Sequence, residues 1–128
     1  MSQKTTEELL NWATQIAITA KIERVRRGGR GGLTSSQINS ILNFAQDYKN
    51  DIKTVMLYIM YQSQRSQFTD TAKILVDKIN ELEDSPDDVI KLLGYVKWIY
   101  ETIEKIKRVN YTENFEDLVK IFTQARSY

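Results

Sequence analysis

Apolar residues recur along this chain at steps of three and four, and nowhere alternate one in two over the length of a strand. That is the spacing of amphipathic helices. The first face is Leu9, Trp12, Ile16, Thr19, Ala20 and Glu23; it opens with Thr5 and Glu8, a capping box, and closes near Arg27. A second helix starts at Thr34, with Gln37 three residues on and Leu33 placed to staple against Ile38, and continues through Ile41, Leu42, Ala45 and Tyr48. Asn50 or Asp51 caps a third, whose residues Ile52 and Val55 to Tyr61 are apolar almost all round, the pattern of a central helix in a bundle. A fourth follows from a Thr69 or Asp70 cap, with Ala72, Leu75, Val76, Ile79 and Leu82 on one side. The fifth has three start signals, Ser85 as N-cap, Pro86 in the first helical position and Asp87 and Asp88 in the first turn, and runs to about Arg108. After Asn110 and Tyr111, Thr112 caps a short last helix bearing Phe115, Leu118, Val119 and Phe122. No repeat or domain boundary interrupts the series. The expectation is an all-α fold, a single compact bundle of five to six helices spanning residues 1–128 as one helical domain, with a flexible Gly-rich loop at about 28–32.

Composition narrows the chemistry. The chain has 128 residues, no Cys and no His. Disulfides, thiolate nucleophiles, cysteine-held metal centres and the usual general base are therefore excluded, which leaves carboxylate-only metal chemistry or none. The first fifteen residues carry Lys4, Glu7 and Glu8 and no apolar signal core, so secretion is not expected. The longest apolar run, Val55–Tyr61, is seven residues, against the ~20 needed to span a bilayer. A cytoplasmic location without membrane contact is expected.

The net charge of +1 conceals a segregation. Between positions 21 and 30, Lys21, Arg24, Arg26, Arg27 and Arg30 face one acid, Glu23, a local +4 that leaves −3 on the rest of the chain. Two readings of this block stand side by side: a surface for a polyanion, and a helix end whose cations favour the dipole and cap the last carbonyls. Four of the five glycines follow at once, in Gly28-Gly29-Arg30-Gly31-Gly32. Without a preceding strand or a Lys-Ser/Thr sequel this is no P-loop, and it reads as a helix C-cap followed by a loose linker.

Other chemistry-bearing groups have structural explanations. Glu81, Glu83, Asp84, Asp87 and Asp88, with Glu101 and Glu104 in reserve, are the candidates for a magnesium site, yet Asp87 and Asp88 are also accounted for as first-turn helix residues. No set of base, nucleophile and oxyanion donor can be assembled, so no catalytic residue, metal site or cofactor is expected. Tyr58, Tyr61, Tyr95, Trp98 and Tyr100 have the spacing of core or subunit-interface residues; Trp98 falls off the Val96–Tyr100–Ile103 face and is expected to be exposed to a partner.

The stretch Gly32-Leu33-Thr34-Ser35-Ser36-Gln37-Ile38-Asn39-Ser40-Ile41-Leu42, followed one helix later by Leu57-Tyr58-Ile59-Met60-Tyr61-Gln62-Ser63-Gln64-Arg65, resembles the small all-helical subunit of type III-A CRISPR–Cas effector complexes, the Csm complexes. Members typically carry a Leu-Thr-Thr-Ser-Gln-Ile-Arg helix start and then a Leu-x-x-x-Tyr-Gln-x-x-Arg helix; Asn39 stands here where Arg is usual. The resemblance runs from about Thr5 to Tyr128. It implies a non-catalytic scaffold, several copies of which stack as an inner filament beside the subunits that hold the crRNA and help to cradle the crRNA–target RNA duplex, in antiviral defence. Further copies of the chain and other effector subunits are then its protein partners, with no small-molecule substrate. The expected RNA-binding residues are Arg24, Arg26, Arg27 and Arg30 from the basic block, and Lys53 and Arg65 from the motif helix; these last two are twelve residues apart and lie within about 120° on the helix surface. The alternatives are a helical protein–protein adaptor that binds no nucleic acid and, behind it, a carboxylate–magnesium nucleotide hydrolase.

Overall fold

The computed structural model describes residues 4–106 and 109–124. Six helices account for about three quarters of them, in the order α1 (Thr6–Arg26), α2 (Ser35–Asp47), α3 (Ile52–Ser66), α4 (Thr69–Glu81), α5 (Pro86–Ile103) and α6 (Phe115–Gln124), with no strand among the described residues. The fold is an all-α bundle.

Local signals set most of the helix starts. The Thr5 hydroxyl accepts the Glu8 N–H at 3.1 Å while Glu8 Oε1 accepts the Thr5 N–H at 2.9 Å. The same reciprocal box joins Thr34 and Gln37 at 3.2 and 2.9 Å, and Asp51 caps α3 through the Thr54 N–H. Each box satisfies two N–H groups that a helix start would otherwise leave open. The Thr5 backbone and side-chain hydrogen bonds, helped by Lys4, hold the Glu8 carboxyl below the usual carboxylate range. Because the folded value is the lower one, this contribution is present above the unfolded-state pKa and is lost as pH falls through the folded one. Between about pH 6 and pH 3, thermal unfolding of the wild type should therefore lose more stability than that of Glu8→Gln; parallel pH profiles would contradict this.

Five helices close into a ring, each packed mainly on two neighbours: α1 on α4 and α5, α5 on α2, α2 on α3 and α3 on α4; α6 lies outside the ring against α1. The helix that packs most extensively is α1, which meets α4, α5 and α6, and not α3. Buried positions on α1 (Leu9, Ala13, Thr14, Ile16, Ala17, Ile18, Ala20, Glu23) cover an arc of about 220°, and its alanines let neighbours approach closely. On α3, by contrast, Leu57, Met60 and Tyr61 are exposed, so its all-round apolar sequence leaves an uncovered face.

Three further expectations change in detail. The N-cap of α4 is Phe68, which makes no side-chain cap bond; α5 starts as expected, with Ser85 as N-cap, Pro86 after it and Asp87 and Asp88 in the first turn, though the Ser85 side chain makes no cap bond. The cap of α6 is Asn114, whose Oδ1 accepts from Glu116 N–H at 2.7 Å; Thr112 instead orients Asn114 by accepting its N–H. Helix α5 ends at Ile103, because Lys21 Nζ from α1 takes the carbonyls of Ile103, Glu104 and Ile106 at 2.8–3.2 Å. Of the stretch expected to continue it to Arg108, Lys107 and Arg108 lie outside the described residues. Among the described residues every buried side-chain polar atom has a hydrogen-bond partner.

Candidate nucleic-acid interface

The helices run up and down, so the loops gather at two ends. One holds the end of α1, the glycine segment, the α3–α4 turn and the end of α5; Ser35 Oγ to Glu104 Oε1 (3.0 Å) and Gly32 N–H to Ser66 O (2.9 Å) tie these together. The start of α1, the α2–α3 turn and the α4–α5 turn make the other, joined by Lys49–Asp87 (2.9 Å) and by the Lys4 N–H on Asp88.

At the first end, the acid of the basic block does not neutralise it at the surface. Glu23 is 1% exposed. Its carboxyl oxygens accept the N–H groups of Asp70 and Thr71 at 2.9 and 3.1 Å and the Thr71 hydroxyl at 2.7 Å. A side chain of α1 thus supplies the cap that α4 lacks, a favourable place for an acid at a helix N-terminus. The signal was present in the sequence: Glu23 sits at helical spacing on the apolar face of α1.

The glycines then turn the chain. With Arg27 as C-cap, Gly28 (φ 66°) donates to Val25 O and Gly29 (φ 78°) to Arg24 O, the paired bonds of a Schellman ending. Gly31 and Gly32 are buried. Gly32, at φ 99°, passes so close to α1 that a Cβ there would stand 2.8 Å from Arg24 Cα. The C-cap expectation holds for the first pair, and the second pair is a packed crossing with a backbone bond to α3.

This crossing decides which cations share a surface. Arg27 Nη1 donates to Gln67 Oε1 at 3.5 Å, Arg26 Nη2 lies 3.2 Å from Asp70 Oδ2, Arg30 is exposed between the glycine pairs, and half-buried Arg24 lies against Gly32. Arg65, in the last turn of α3 beside Ser66 and Gln67, joins them from 35 residues further along the chain than Arg30. Lys21 is spent on α5; burial lowers its pKa, with Glu104 acting in the opposite direction. Lys53, in the first turn of α3, lies ~18 Å away along the helix axis, at the other end, where it meets Glu83 at 3.8 Å. The structure therefore gathers five of the six candidate residues and separates Lys53 from them. Gln67 escaped the sequence reading: it holds Arg27 and crowds Gly31 from a left-handed backbone (φ 58°) that no local pattern announces.

Five guanidinium groups stand at one end, and each presents planar, bidentate donors whose geometry matches that of a phosphate. The Arg26–Asp70 pair is exposed on both sides and worth at most ~1 kcal/mol, so a phosphate can displace the carboxylate. The acidic residues considered for magnesium are dispersed: Glu83 and Asp87 meet lysines, Asp88 is buried and accepts the Lys4 N–H, and Glu81 lies 3.8 Å from Lys78. Among the described residues no group of three or more acids converges on a metal-sized site, and no described helix is long and apolar enough to cross a membrane.

Aromatic residues divide. Tyr58 stacks on Phe44 (4.1 Å), which stacks on Tyr48 (4.3 Å), and buried Tyr100 donates to Leu33 O at 2.8 Å. Burial raises the Tyr100 pKa, with Arg24 opposing and Glu104 adding to the rise. Trp98 is 65% exposed. It borders an apolar cavity of about 440 Å³ between α5 and α6, lined also by Tyr95, Phe115 and Phe122. No protein-family model matches the sequence, and no curated protein matches it either.

Proposed function

We propose that this chain is the non-catalytic small subunit of a type III CRISPR–Cas effector complex of the Csm kind, stacking in several copies and contacting the backbone of the crRNA–target RNA duplex through its arginine end, in the cytoplasm. The observation that carries this reading is the convergence of Arg24, Arg26, Arg27 and Arg30 with Arg65. The first segment of the family resemblance is tied at this end to Ser66, the residue that follows the second, by Gln37 Nε2 donating to Ser66 Oγ and Gly32 N–H to Ser66 O. Backbone contact suits such a role, because the guide reads the sequence and the protein follows a helical phosphate track. One copy binds weakly; several fixed at a matching spacing gain avidity.

RNA titrations of the purified protein at several salt concentrations test the reading. Binding should show no sequence preference, and log K should fall by ~0.7–0.9 per phosphate contacted for each decade of salt. Changing Arg24, Arg26, Arg27 and Arg30 together to Ala should flatten that slope and lower affinity on the order of a hundredfold near 0.1 M salt; alanine keeps the Cβ of Arg24 that packs on Gly32. Lys53→Ala should leave both unchanged. An unchanged slope in the quadruple variant would reduce the arginine end to a helix terminus. The adaptor reading is favoured by one observation, the exposed Trp98 and its apolar cavity, and predicts no RNA binding even at low salt.

A further inference from the structure

The exposed face of α3 leads into the arginine end. Leu57 and Tyr61 lie one turn apart and are 62% and 56% exposed, with Met60 beside them, and Arg65 is one turn further on. The Arg65 guanidinium stands 5.8 Å from the centre of the Tyr61 ring, within the range of a cation–π pair. Such a pair orients both groups, yet more than half of Tyr61 still faces solvent. Among the described residues neither Arg65 nor Arg30 lies within 4 Å of a carboxylate, and Arg27 meets only the neutral Gln67. An apolar strip with an exposed aromatic ring thus runs directly into unpaired positive charge.

We infer that Tyr61, with Arg65, is a stacking station for an unpaired nucleobase of RNA held by the arginine end. The positive charge selects the occupant: a strand whose phosphates sit on Arg27, Arg30 and Arg65 brings its bases to the strip on α3, and an aromatic face receives any of the four bases. A basic or neutral protein segment covering the strip would leave those arginines without counter-charge. The inference rests on the RNA-binding reading above and adds to it a preference for single-stranded segments that duplex-backbone contacts do not supply.

Single-stranded RNA and a blunt duplex of the same length are to be titrated against wild type, Tyr61→Leu and Tyr61→Phe. Tyr61 is on the surface, so all three should fold, with coincident thermal melts. Tyr61→Leu should lose on the order of tenfold affinity for the single strand, with duplex affinity and salt slope unchanged, and Tyr61→Phe should retain both. Single strands carrying 5-bromouridine should photo-crosslink to Tyr61 in the wild type. Unchanged single-strand affinity in Tyr61→Leu, in a protein that still binds RNA with a steep salt slope, would overturn the stacking station and leave the arginine end standing. A wild type that binds neither RNA would overturn both.

Discussion

Replacing Glu23 by Ala should lower the stability of the fold by about 3 kcal/mol, near the upper value for stranding buried hydrogen-bond donors. In a domain of this size that corresponds to a fall in Tm of about 10 °C. The substitution leaves the N–H groups of Asp70 and Thr71 and the Thr71 hydroxyl without their acceptor, and removes the one side chain that caps α4 among the described residues. Glu23→Gln should cost less but still destabilise, since its amide keeps one acceptor oxygen and turns a donor toward a partner that also donates. Neither change removes a cation from the surface, so at a temperature where the variants are folded the RNA salt slope should match the wild type. Thermal melts of the three proteins decide the matter; a Glu23→Ala variant as stable as the wild type would show that α4 needs no cap from α1.

The second large effect is expected at Gly32, where Ala must adopt φ 99° and place its Cβ 2.8 Å from a backbone atom of Arg24. Strain at such a position reaches roughly 3 kcal/mol, and backbone cannot move aside as a side chain can. Gly28→Ala is the control: its φ of 66° is also left-handed, but nothing lies within 4 Å of the added Cβ, so the cost should be about 1 kcal/mol. Any shift of the segment that relieves the clash also breaks the Gly32–Ser66 bond and parts the arginine block from Arg65. Gly32→Ala should therefore weaken RNA binding as well as the fold, whereas Gly28→Ala should affect binding little. Equal melting temperatures for the two variants would contradict the packed crossing.

The starts of α1, α2 and α3 were legible because their caps are local: Thr5 with Glu8, Thr34 with Gln37 and Asp51 with Thr54 each lie within three residues. What the sequence hid is long-range. Glu23 caps a helix 47 residues away, and Lys21 ends one more than 80 residues away. Lys21 reads as an ordinary charge of a basic run, and the place of Glu23 on the apolar face of α1 announces its burial but not its partner. The place of α3 differs from the expectation because apolar composition reports what a helix can bury and not what is there to bury it; the alanines of α1 give that helix the closer packing. At the candidate interface the arginine block was visible as a charge run, but the inclusion of Arg65 and the separation of Lys53, both on α3, follow from which end meets Gly32.

The central claim is that this chain works beside a guide RNA. Its most direct test is to recover the affinity-tagged protein from its natural source at low salt and to sequence the RNA that accompanies it. A small subunit of a type III effector brings down crRNA together with the crRNA-bearing subunits, and loses both when Arg24, Arg26, Arg27, Arg30 and Arg65 are changed to Ala. Recovery of the chain without crRNA would contradict the account.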